Sequence, residues 1–367
     1  MRVLHVTPYY PPTWAYGGIP RVVSGLARAQ KAAGLDVRVW TTDVFDASRR
    51  SGRPRVGELD GIEVHVAPVA SNRLAWAHQL YVPLGSPPMD GVDVVHLHGH
   101  RHLLNWLAFR ARGRRPVVQT PNGTLPRLER KVTAKAAWDV LFDGDVPRRA
   151  DRLVATSKAE VRQMLAAGIA GDRIVRIPNG LEMPEPPPRG RFRARHGIEG
   201  PMVAFLGQVT PRKGVDRLVR AMEGVPATLV VAGPPRGMSL PEGVLCTGTL
   251  EGEDRLALLV DADVLAYPST HEIFGLVPME GLWCGAPVVV GDDCGCGEIV
   301  AEADAGLLVD DSVEALRGAI RRLVGDRAAA RAMAERGRAY VRRHLDFAGI
   351  ARRHLEVYET LCATASS

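Results

Sequence analysis

The sequence predicts an α/β protein made of two doubly wound, Rossmann-like parallel-sheet domains that face a cleft. Three observations predict this fold. Short β-rich segments alternate with longer stretches whose apolar residues recur at helical spacing. The alternation starts at Arg2, stops at a proline-rich segment and starts again at Met202. The length of 367 residues suits about two domains, each able to bury its own core.

The first half of the chain contains five predicted strands, which begin at Arg2, Asp36, Asp93, Pro116 and Asp151. The stretches between them, such as the one from Ile19, end on glycine and carry apolar residues at the spacing of one helix face. Strands that alternate with helices form parallel sheets. Residues 1–180 are therefore expected to form an N-terminal α/β domain.

Prolines occupy four of the five positions from Pro184 to Pro188. Proline lacks a backbone N–H and does not fit inside a helix or a central strand, so residues 181–200 are predicted to be an interdomain linker. Four further strands are predicted to begin at Met202, Ala227, Asp263 and Ala286. They indicate a second, C-terminal domain of the same kind over residues 201–345. The helical residues 346–367 are expected to return toward the N-terminal domain.

Composition and charge limit the class of protein. No run of about 18 apolar residues occurs and the first residues lack a signal-peptide core, so we expect a cytoplasmic protein. The five cysteines are odd in number and irregularly spaced, which argues against a disulfide framework and favours buried or loop thiols. Their spacing does not suit a zinc finger, and no metal is expected.

Basic residues are concentrated in the first part of the chain. Up to Met183 there are 26 Lys+Arg against 16 Asp+Glu, a surplus of +10; beyond it, 21 against 25 leaves −4. A basic first domain suits an anionic partner, either a phosphate-bearing acceptor or an acidic membrane surface with peripheral association; a solvated arginine-rich surface is the alternative. Nucleic acid is not expected, because the arginines are scattered and no reader motif accompanies them.

The segment HEIFGLVPME places two carboxylates, Glu272 and Glu280, on either side of a predicted helix start. Proline is tolerated in the first turn of a helix, so a helix is predicted to begin between Leu276 and Pro278, with Glu280 inside it and Glu272 on the loop before it. The free backbone amides of such a helix start, together with its dipole, bind diphosphates. These amides belong to Gly275, Leu276 and Val277.

Together with the Cys-Gly-x-Pro-Val-Val turn that follows it, this segment resembles the carboxylate motif of the retaining GT4 glycosyltransferases, which have the GT-B fold. The resemblance implies that Glu272 contacts the transferred sugar and Glu280 the nucleotide ribose, with Phe274 also at the donor. It implies a UDP- or GDP-linked sugar as co-substrate. It implies no other cofactor.

Other segments extend the resemblance through the first domain. The stretch VTPYYPPTWAYGGIPRVV resembles the family's glycine loop, in which Gly17 and Gly18 let the backbone approach the donor diphosphate and the acceptor. His98, at the end of DVVHLHG, matches the family histidine that reaches the donor sugar, whereas His96 is expected to be core. Acceptor contacts are expected from loop residues that follow strands, namely Trp14, Tyr16, Asn122 and Thr124.

In the second domain, FLGQVTPRKGVDRLVRA resembles the family element that binds the donor phosphates with two basic residues. Lys213 matches the family lysine. Gln208 stands where the family usually has arginine, which removes a bidentate phosphate contact; either Arg212 compensates or the donor is held by fewer charges. Backbone around Gly233 and Gly248, after strands, is expected to form the base pocket.

Two Asp-x-Asp triplets, Asp143-Gly-Asp145 and Asp261-Ala-Asp263, are expected to be structural rather than metal-binding. The stretch GDDCGCGEIV resembles the family's glycine-rich turn ahead of Glu298, which either reaches the sugar or caps the next helix.

The resemblance implies retaining, metal-independent transfer of a sugar to an acceptor hydroxyl, with catalytic roles for His98, Glu272, Arg212 and Lys213. A lipid-linked or sugar acceptor in cell-surface polysaccharide or glycolipid synthesis is expected, and a small-molecule or natural-product acceptor is the alternative. A nucleotide-sugar epimerase or a non-catalytic nucleotide-sugar-binding protein stays open as a different class.

Overall fold

The computed structural model describes residues 1–126, 132–142, 146–235 and 237–366. The chain divides into two compact units. The first unit comprises Met1–Gly180 together with Phe347–Ser367, and the second comprises Leu181–Asp346. Each unit is built on one sheet with helices between the strands.

The first unit contains an eight-stranded sheet. Its strands are β1 (Arg2–Val6), β2 (Asp36–Thr42), β3 (Val56–Leu59), β4 (Ile62–Ala67), β5 (Val94–His98), β6 (Val117–Thr120), β7 (Arg152–Ala155) and β8 (Ile174–Arg176). Their order is β3-β4-β2-β1-β5-β6-β7-β8. One pair departs from the expected parallel pairing: β3 and β4 are antiparallel, because they are joined by the tight turn Asp60-Gly61, whose residues both have positive φ.

Helices connect these strands, and the two faces of the sheet carry separate cores. The helices are α1 (Ile19–Ala32), α2 (Asn72–His78), α3 (Leu103–Ala111), α4 (Val132–Leu141), α5 (Val146–Arg149) and α6 (Lys158–Ala166). Side chains alternate between faces along a strand, so Leu4 and Val6 of β1 lie in one core and Val3 lies in the other. The central strands are buried on both faces, which explains their continuous apolar sequences.

The second unit contains a six-stranded, wholly parallel sheet of order β11-β10-β9-β12-β13-β14. Its strands are β9 (Met202–Leu206), β10 (Thr228–Ala232), β11 (Leu245–Gly248), β12 (Val264–Tyr267), β13 (Val288–Gly291) and β14 (Gly306–Val309). Its helices are α7 (Arg191–His196), α8 (Val215–Ala221), α9 (Gly252–Asp261), α10 (Leu276–Cys284), α11 (Gly295–Ala303), α12 (Val313–Gly325) and α13 (Arg327–His344).

The segment predicted to be a linker, residues 181–200, is not extended throughout, because its second half forms α7. The Asp261 carboxylate accepts hydrogen bonds from the backbone N–H groups of Gly190, Phe192 and Arg193, at 2.5, 2.7 and 3.0 Å. Asp263 forms an ion pair with Arg193. Both carboxylates therefore hold α7, as expected for a structural Asp-x-Asp triplet. The other triplet, Asp143-Gly-Asp145, lies outside the described residues.

The last helix, α14 (Phe347–Ser366), belongs to the first unit and packs on α1. Its residues Ile350 and Tyr358 are buried in the same core as Val3. Gly25 of α1 makes room for the Phe347 ring, since a Cβ there would lie 2.2 Å from the ring. Within the described ranges, no helix combines the length and apolar composition needed to cross a bilayer.

Candidate active site

In the second unit, polar side chains gather where β9 and β12 end, the edge at which parallel sheets bind ligands. Lys213 Nζ forms an ion pair with Glu272 Oε2 and donates a hydrogen bond to the Tyr267 hydroxyl at 2.7 Å. Tyr267 and Ser269 donate to the same Glu272 oxygen, at 3.2 and 3.0 Å. The predicted residues Lys213 and Glu272 are therefore in direct contact.

The electrostatics of this cluster favour an ionised Glu272. Burial by itself would raise the pKa of Glu272, but the charge and the hydrogen bond of Lys213, together with the Arg212 charge and the Ser269 hydrogen bond, lower the pKa below its ordinary value. Burial, together with the Glu272 charge, raises the pKa of Tyr267 well above 10, so this phenol keeps its proton and donates. The cluster is a carboxylate held by one ammonium and two hydroxyl groups.

The local sequence explains how these loops meet. Lys213 ends a single 3₁₀ turn, Pro211–Lys213, whose N-terminus is capped by the Thr210 side chain. Gly214 follows with φ 71°, and a Cβ there would lie 2.3 Å from the Pro268 carbonyl oxygen. Only glycine therefore allows this close approach to the segment after β12. Arg212 and Gln208 are exposed nearby on the same β9–α8 connection.

The helix after Glu272 begins where the sequence predicts. α10 starts at Leu276, with Gly275 as its N-cap at φ 73° and Phe274 buried before it. Glu280 lies inside α10, is buried, and pairs with Arg255 of α9. The sequence analysis missed Arg255 because a single arginine on an otherwise amphipathic helix carries no motif.

A cysteine pair supports the loop that carries Glu272. The Sγ atoms of Cys294 and Cys296 lie 2.9 Å apart and both residues are buried, as expected for structural thiols. The hydrogen bond with Cys294 and burial raise the pKa of Cys296. The backbone N–H of Gly295 donates to the Glu272 carbonyl oxygen at 2.7 Å, so this turn positions the Glu272 backbone. Glu298 follows in the first turn of α11.

The glycines predicted for the base pocket lie at the ends of neighbouring strands. Gly233, directly after β10, donates its backbone N–H to the carbonyl oxygen of Gly248 at 2.7 Å. A Cβ on Gly233 would lie 1.7 Å from the Gly207 carbonyl oxygen. Gly233 therefore lets the backbones after β9 and β10 approach closely.

In the first unit, His98 ends β5 and is buried. Its Nε2 lies 2.9 Å from His5 Nδ1, and its Nδ1 has no hydrogen-bond partner among the described residues. His96 is core, as predicted, and its two ring nitrogens meet Tyr358 and Thr120. Burial lowers the pKa of His96 and His98 well below 6.5, so both rings are neutral.

The glycine loop of the first unit carries two aromatic residues that have different surroundings. Gly17, at φ 94°, ends the turn Trp14–Tyr16, and Gly18 is the N-cap of α1. Trp14 is exposed, with the Arg21 guanidinium 5.4 Å from its ring centroid. Tyr16 instead stacks on Tyr9, with the ring centroids 5.1 Å apart. Of the predicted acceptor residues in this loop, Trp14 is thus the more accessible.

The other two predicted acceptor residues lie on the loop after β6. Asn122 has φ 52°, a conformation that asparagine tolerates better than most residues. The buried Glu160 carboxylate accepts from the Gly123 N–H at 2.6 Å, and the Thr124 hydroxyl donates to the Pro121 carbonyl oxygen at 2.6 Å. Glu160 also accepts from the backbone N–H and the hydroxyl of Thr156, so it ties this loop to the start of α6.

With this geometry described, the chain can be compared with known proteins. Residues 189–340 match the family Glycosyl transferases group 1, and residues 16–183 match Glycosyltransferase Family 4. The D-inositol 3-phosphate glycosyltransferase of Salinispora arenicola is 30% identical over 84% of this chain and 79% of its own. The glycogen synthase of Mycobacterium tuberculosis is 27% identical over 98% and 94%.

Solved structures agree in fold. Sucrose-phosphate synthase from Thermosynechococcus elongatus superposes with a TM-score of 0.79 at 22% identity, covering 99% of this chain and all of that one. WaaG, a glycosyltransferase involved in lipopolysaccharide biosynthesis, gives a TM-score of 0.64 at 21% identity, covering 97% and 99%. The chain therefore has the GT-B fold and belongs to the group 1 glycosyltransferases of family GT4. The family prediction is confirmed.

Proposed function

We propose that this glycosyltransferase moves a sugar, with retention and without a metal ion, from a UDP- or GDP-linked donor to an acceptor hydroxyl. The observation that carries the proposal is the contact between Lys213 and Glu272 at the ends of β9 and β12. A cation beside a sugar-binding carboxylate is what a leaving diphosphate and a transferred sugar together require. Arg212 and the N-terminal amides of α10 supply further positive potential for the diphosphate.

The hydrogen bonds of Glu272 indicate how it would hold a sugar. The three donors described above, from Lys213, Tyr267 and Ser269, all reach Oε2. Oε1 is therefore left to accept from sugar hydroxyl groups, while the other donors keep the carboxylate in place. Glu280, whose Oε2 meets Arg255, would in the same way offer Oε1 to the ribose.

Retention requires attack on the face from which the diphosphate leaves, or a covalent glycosyl intermediate. A covalent path needs a carboxylate oxygen placed against the anomeric carbon, whereas Glu272 Oε2 already accepts from three donors and we assign Oε1 to the sugar hydroxyl groups. We favour same-face attack, in which the departing phosphate oxygen takes the acceptor proton while Lys213 and Arg212 stabilise its charge. His98 is proposed to contact the donor sugar, as the family resemblance implies.

For the acceptor we propose a growing cell-surface glycan on a lipid phosphate carrier, reached by peripheral association with an anionic membrane. The surplus of +10 up to Met183 supports it, as does α4, on which Val140 and Leu141 are 82% and 74% exposed. Exposed Trp14 is proposed to contact this acceptor, with Tyr16, Asn122 and Thr124 around it. A small phosphorylated acceptor is the alternative, because several relatives are named for inositol 3-phosphate.

The deciding experiment incubates the protein with UDP-, GDP- and ADP-linked labelled sugars and acceptors of both kinds, with and without EDTA. We expect transfer that EDTA does not reduce and a product whose anomeric configuration, read by NMR, equals that of the donor. An epimerised donor without transfer would identify an epimerase, and binding without turnover a non-catalytic protein. Inversion, or a glycosyl adduct mapped to a carboxylate, would overturn the proposed mechanism.

The membrane part has its own test. Sedimentation with vesicles of anionic or zwitterionic lipid should show binding to the anionic vesicles only, and the double variant Val140→Asp, Leu141→Asp should weaken it. Replacing Leu165, which is half-exposed on α6, by Asp is the matched control and should leave binding unchanged. Equal binding to both kinds of vesicle would count against the electrostatic argument.

A further inference from the structure

A continuous chain of hydrogen bonds crosses the core of the first unit and ends at His98. Starting from β6, the members are Thr120, His96, Tyr358, Gln30, His5 and His98. The successive donor–acceptor distances are 2.8, 2.7, 3.1, 2.6 and 2.9 Å. The chain thus joins α14 and α1 to the ends of three neighbouring strands.

Every member is buried, and the imidazoles are neutral. Burial lowers the pKa of His5 to about 4, although the hydrogen bond that His5 donates to Gln30 raises it, and burial lowers the pKa values of His96 and His98 well below 6.5. A neutral imidazole has one N–H donor and one acceptor nitrogen. The direction of one hydrogen bond in the chain therefore dictates the direction of the next.

Gln30 sets this direction, because a carboxamide oxygen only accepts and a carboxamide nitrogen only donates. Its Oε1 faces His5 Nε2, so His5 carries its proton on Nε2 and accepts at Nδ1. His98 must then donate from Nε2, which leaves a lone pair on its Nδ1.

On the other side of Gln30, every hydrogen bond of the chain can also pair one donor with one acceptor. Gln30 Nε2 donates to the Tyr358 oxygen, and Tyr358 can then donate to His96 Nδ1. His96 donates in turn from Nε2 to the Thr120 hydroxyl.

The His98 end of this hydrogen-bond chain offers an acceptor that a ligand could use. His98 Nδ1 is buried and has no partner among the described residues. His98 lines a small cavity of the first unit together with Thr120, Asn179, Phe347 and His354. A buried acceptor is costly unless a donor reaches it, and in the proposed function that donor is a hydroxyl group of the donor sugar.

We propose that Gln30, acting through His5, is a positioning residue that holds His98 in the Nε2–H tautomer, so that Nδ1 accepts a hydrogen bond from a sugar hydroxyl. This inference rests on the proposed function, in which His98 contacts the donor sugar. Neither Gln30 nor His5 needs to touch a substrate. Their role is to decide whether His98 offers a lone pair or a proton.

The first test determines the histidine tautomers directly in the full-length protein, by NMR of ¹⁵N-labelled histidine. The signals are assigned with variants in which one histidine at a time is replaced. We expect Nε2 protonated and Nδ1 unprotonated in both His5 and His98, unchanged between pH 8 and pH 6. A proton on Nδ1 of His98, or an imidazolium at either residue in this range, would overturn the inference. One equivalent of tightly held metal found by elemental analysis would do so too, because a metal among His5, His96 and His98 would take these lone pairs.

The second test separates positioning from stability. Gln30→Met keeps the volume but removes both hydrogen bonds, whereas Tyr358→Phe breaks the chain beyond Gln30 and leaves the Gln30–His5 bond. We expect Gln30→Met to mix the His98 tautomers and to lower kcat/KM about 10-fold. Tyr358→Phe should lower the unfolding temperature similarly and keep the tautomer, with kcat/KM within about 2-fold.

Equal losses of kcat/KM in the two variants, or an unchanged tautomer in Gln30→Met, would contradict a positioning role. If Gln30→Met does not fold, the ¹⁵N NMR spectrum of the unmodified protein still shows whether His98 has the expected tautomer. The spectrum is also independent of activity. Transfer with the opposite tautomer therefore refutes this inference alone, whereas the expected tautomer without any transfer refutes the proposed function alone.

Discussion

Both units place polar groups at the ends of parallel strands, but these groups are charged in the second unit and neutral in the first. In the second unit these groups are charged and paired, Lys213 with Glu272 and Arg255 with Glu280. In the first unit they are neutral imidazoles, and its buried histidines are His5, His96, His98, His100, His102 and His354. The histidines of the second unit, His196, His271 and His344, are not buried. One sheet edge is thus suited to binding an anion and the other to presenting hydrogen bonds of a set direction.

The largest expected effect is a loss of stability at acid pH that begins in the first unit. Burial lowers the pKa of His102 and His354 to about 4, and that of His100 to about 3. The unfolded chain therefore binds more protons below pH 6.5, and the free energy of unfolding falls as the pH drops through that value. Each such histidine contributes about 1.4 kcal/mol per pH unit, so several kcal/mol should be lost by pH 5.

Hydrogen exchange measured by mass spectrometry at pH 7.5, 6 and 5, corrected for the intrinsic exchange rate, checks this. Peptides from β1 and β5 should lose protection first. Peptides from β9 and β12 should follow only below about pH 4.5, where the lowered pKa of Glu272 begins to count. If the second unit lost protection at a higher pH than the first, the buried histidines would not be the main cause of acid sensitivity.

The second effect is catalytic. Lys213→Ala removes the charge that we propose faces the leaving diphosphate and leaves Glu272 without its cation, so kcat/KM should fall about 10²–10³-fold. Arg220→Ala, which removes an exposed ion pair with Asp216 on α8, is the control and should stay within about 2-fold. Steady-state kinetics with the preferred donor measure both. A loss below about 5-fold for Lys213→Ala would mean that other groups stabilise the diphosphate.

The third effect tests how a buried ion pair differs from an exposed one. Arg255→Met leaves Glu280 buried without its partner and should lower the free energy of unfolding by about 3 kcal/mol. Arg191→Met breaks the exposed pair with Glu253 and should cost less than about 1 kcal/mol. Denaturant titration compares the two. Similar losses would show that Glu280 is not as isolated from water as its burial indicates.

The smallest expected effect concerns Gln208, which the family resemblance predicts to stand where an arginine is usual. Gln208→Arg would restore a bidentate phosphate donor on the loop that carries Arg212 and Lys213, and should tighten UDP or GDP binding about 10-fold in calorimetry. Gln208→Ala should change it little. Unchanged affinity in Gln208→Arg would indicate that Arg212 already supplies the missing charge.

Four of the five strands that the sequence did not predict, β3, β8, β11 and β14, lie at the edges of the two sheets and are only partly buried. Edge strands need less apolar surface than central ones, so these short strands give a weak sequence pattern. The fifth, β4, lies inside its sheet between β3 and β2, and the half-buried Glu63 and His65 interrupt its apolar residues. The helix α7 escaped prediction because Asp261, far along the chain, caps it.

The sequence by itself determined the elements whose cause is local. The start of α10 follows from Pro278 and Gly275, and the turn before α8 from Gly214. Only the tertiary structure decided which partner each polar group has. His5 meets His98 across 93 positions and Lys213 meets Glu272 across 59, contacts made by strand order rather than by nearby sequence. Burial then left the histidines of the first unit neutral, whereas the neighbouring Lys213 ammonium kept the buried Glu272 carboxylate of the second unit ionised.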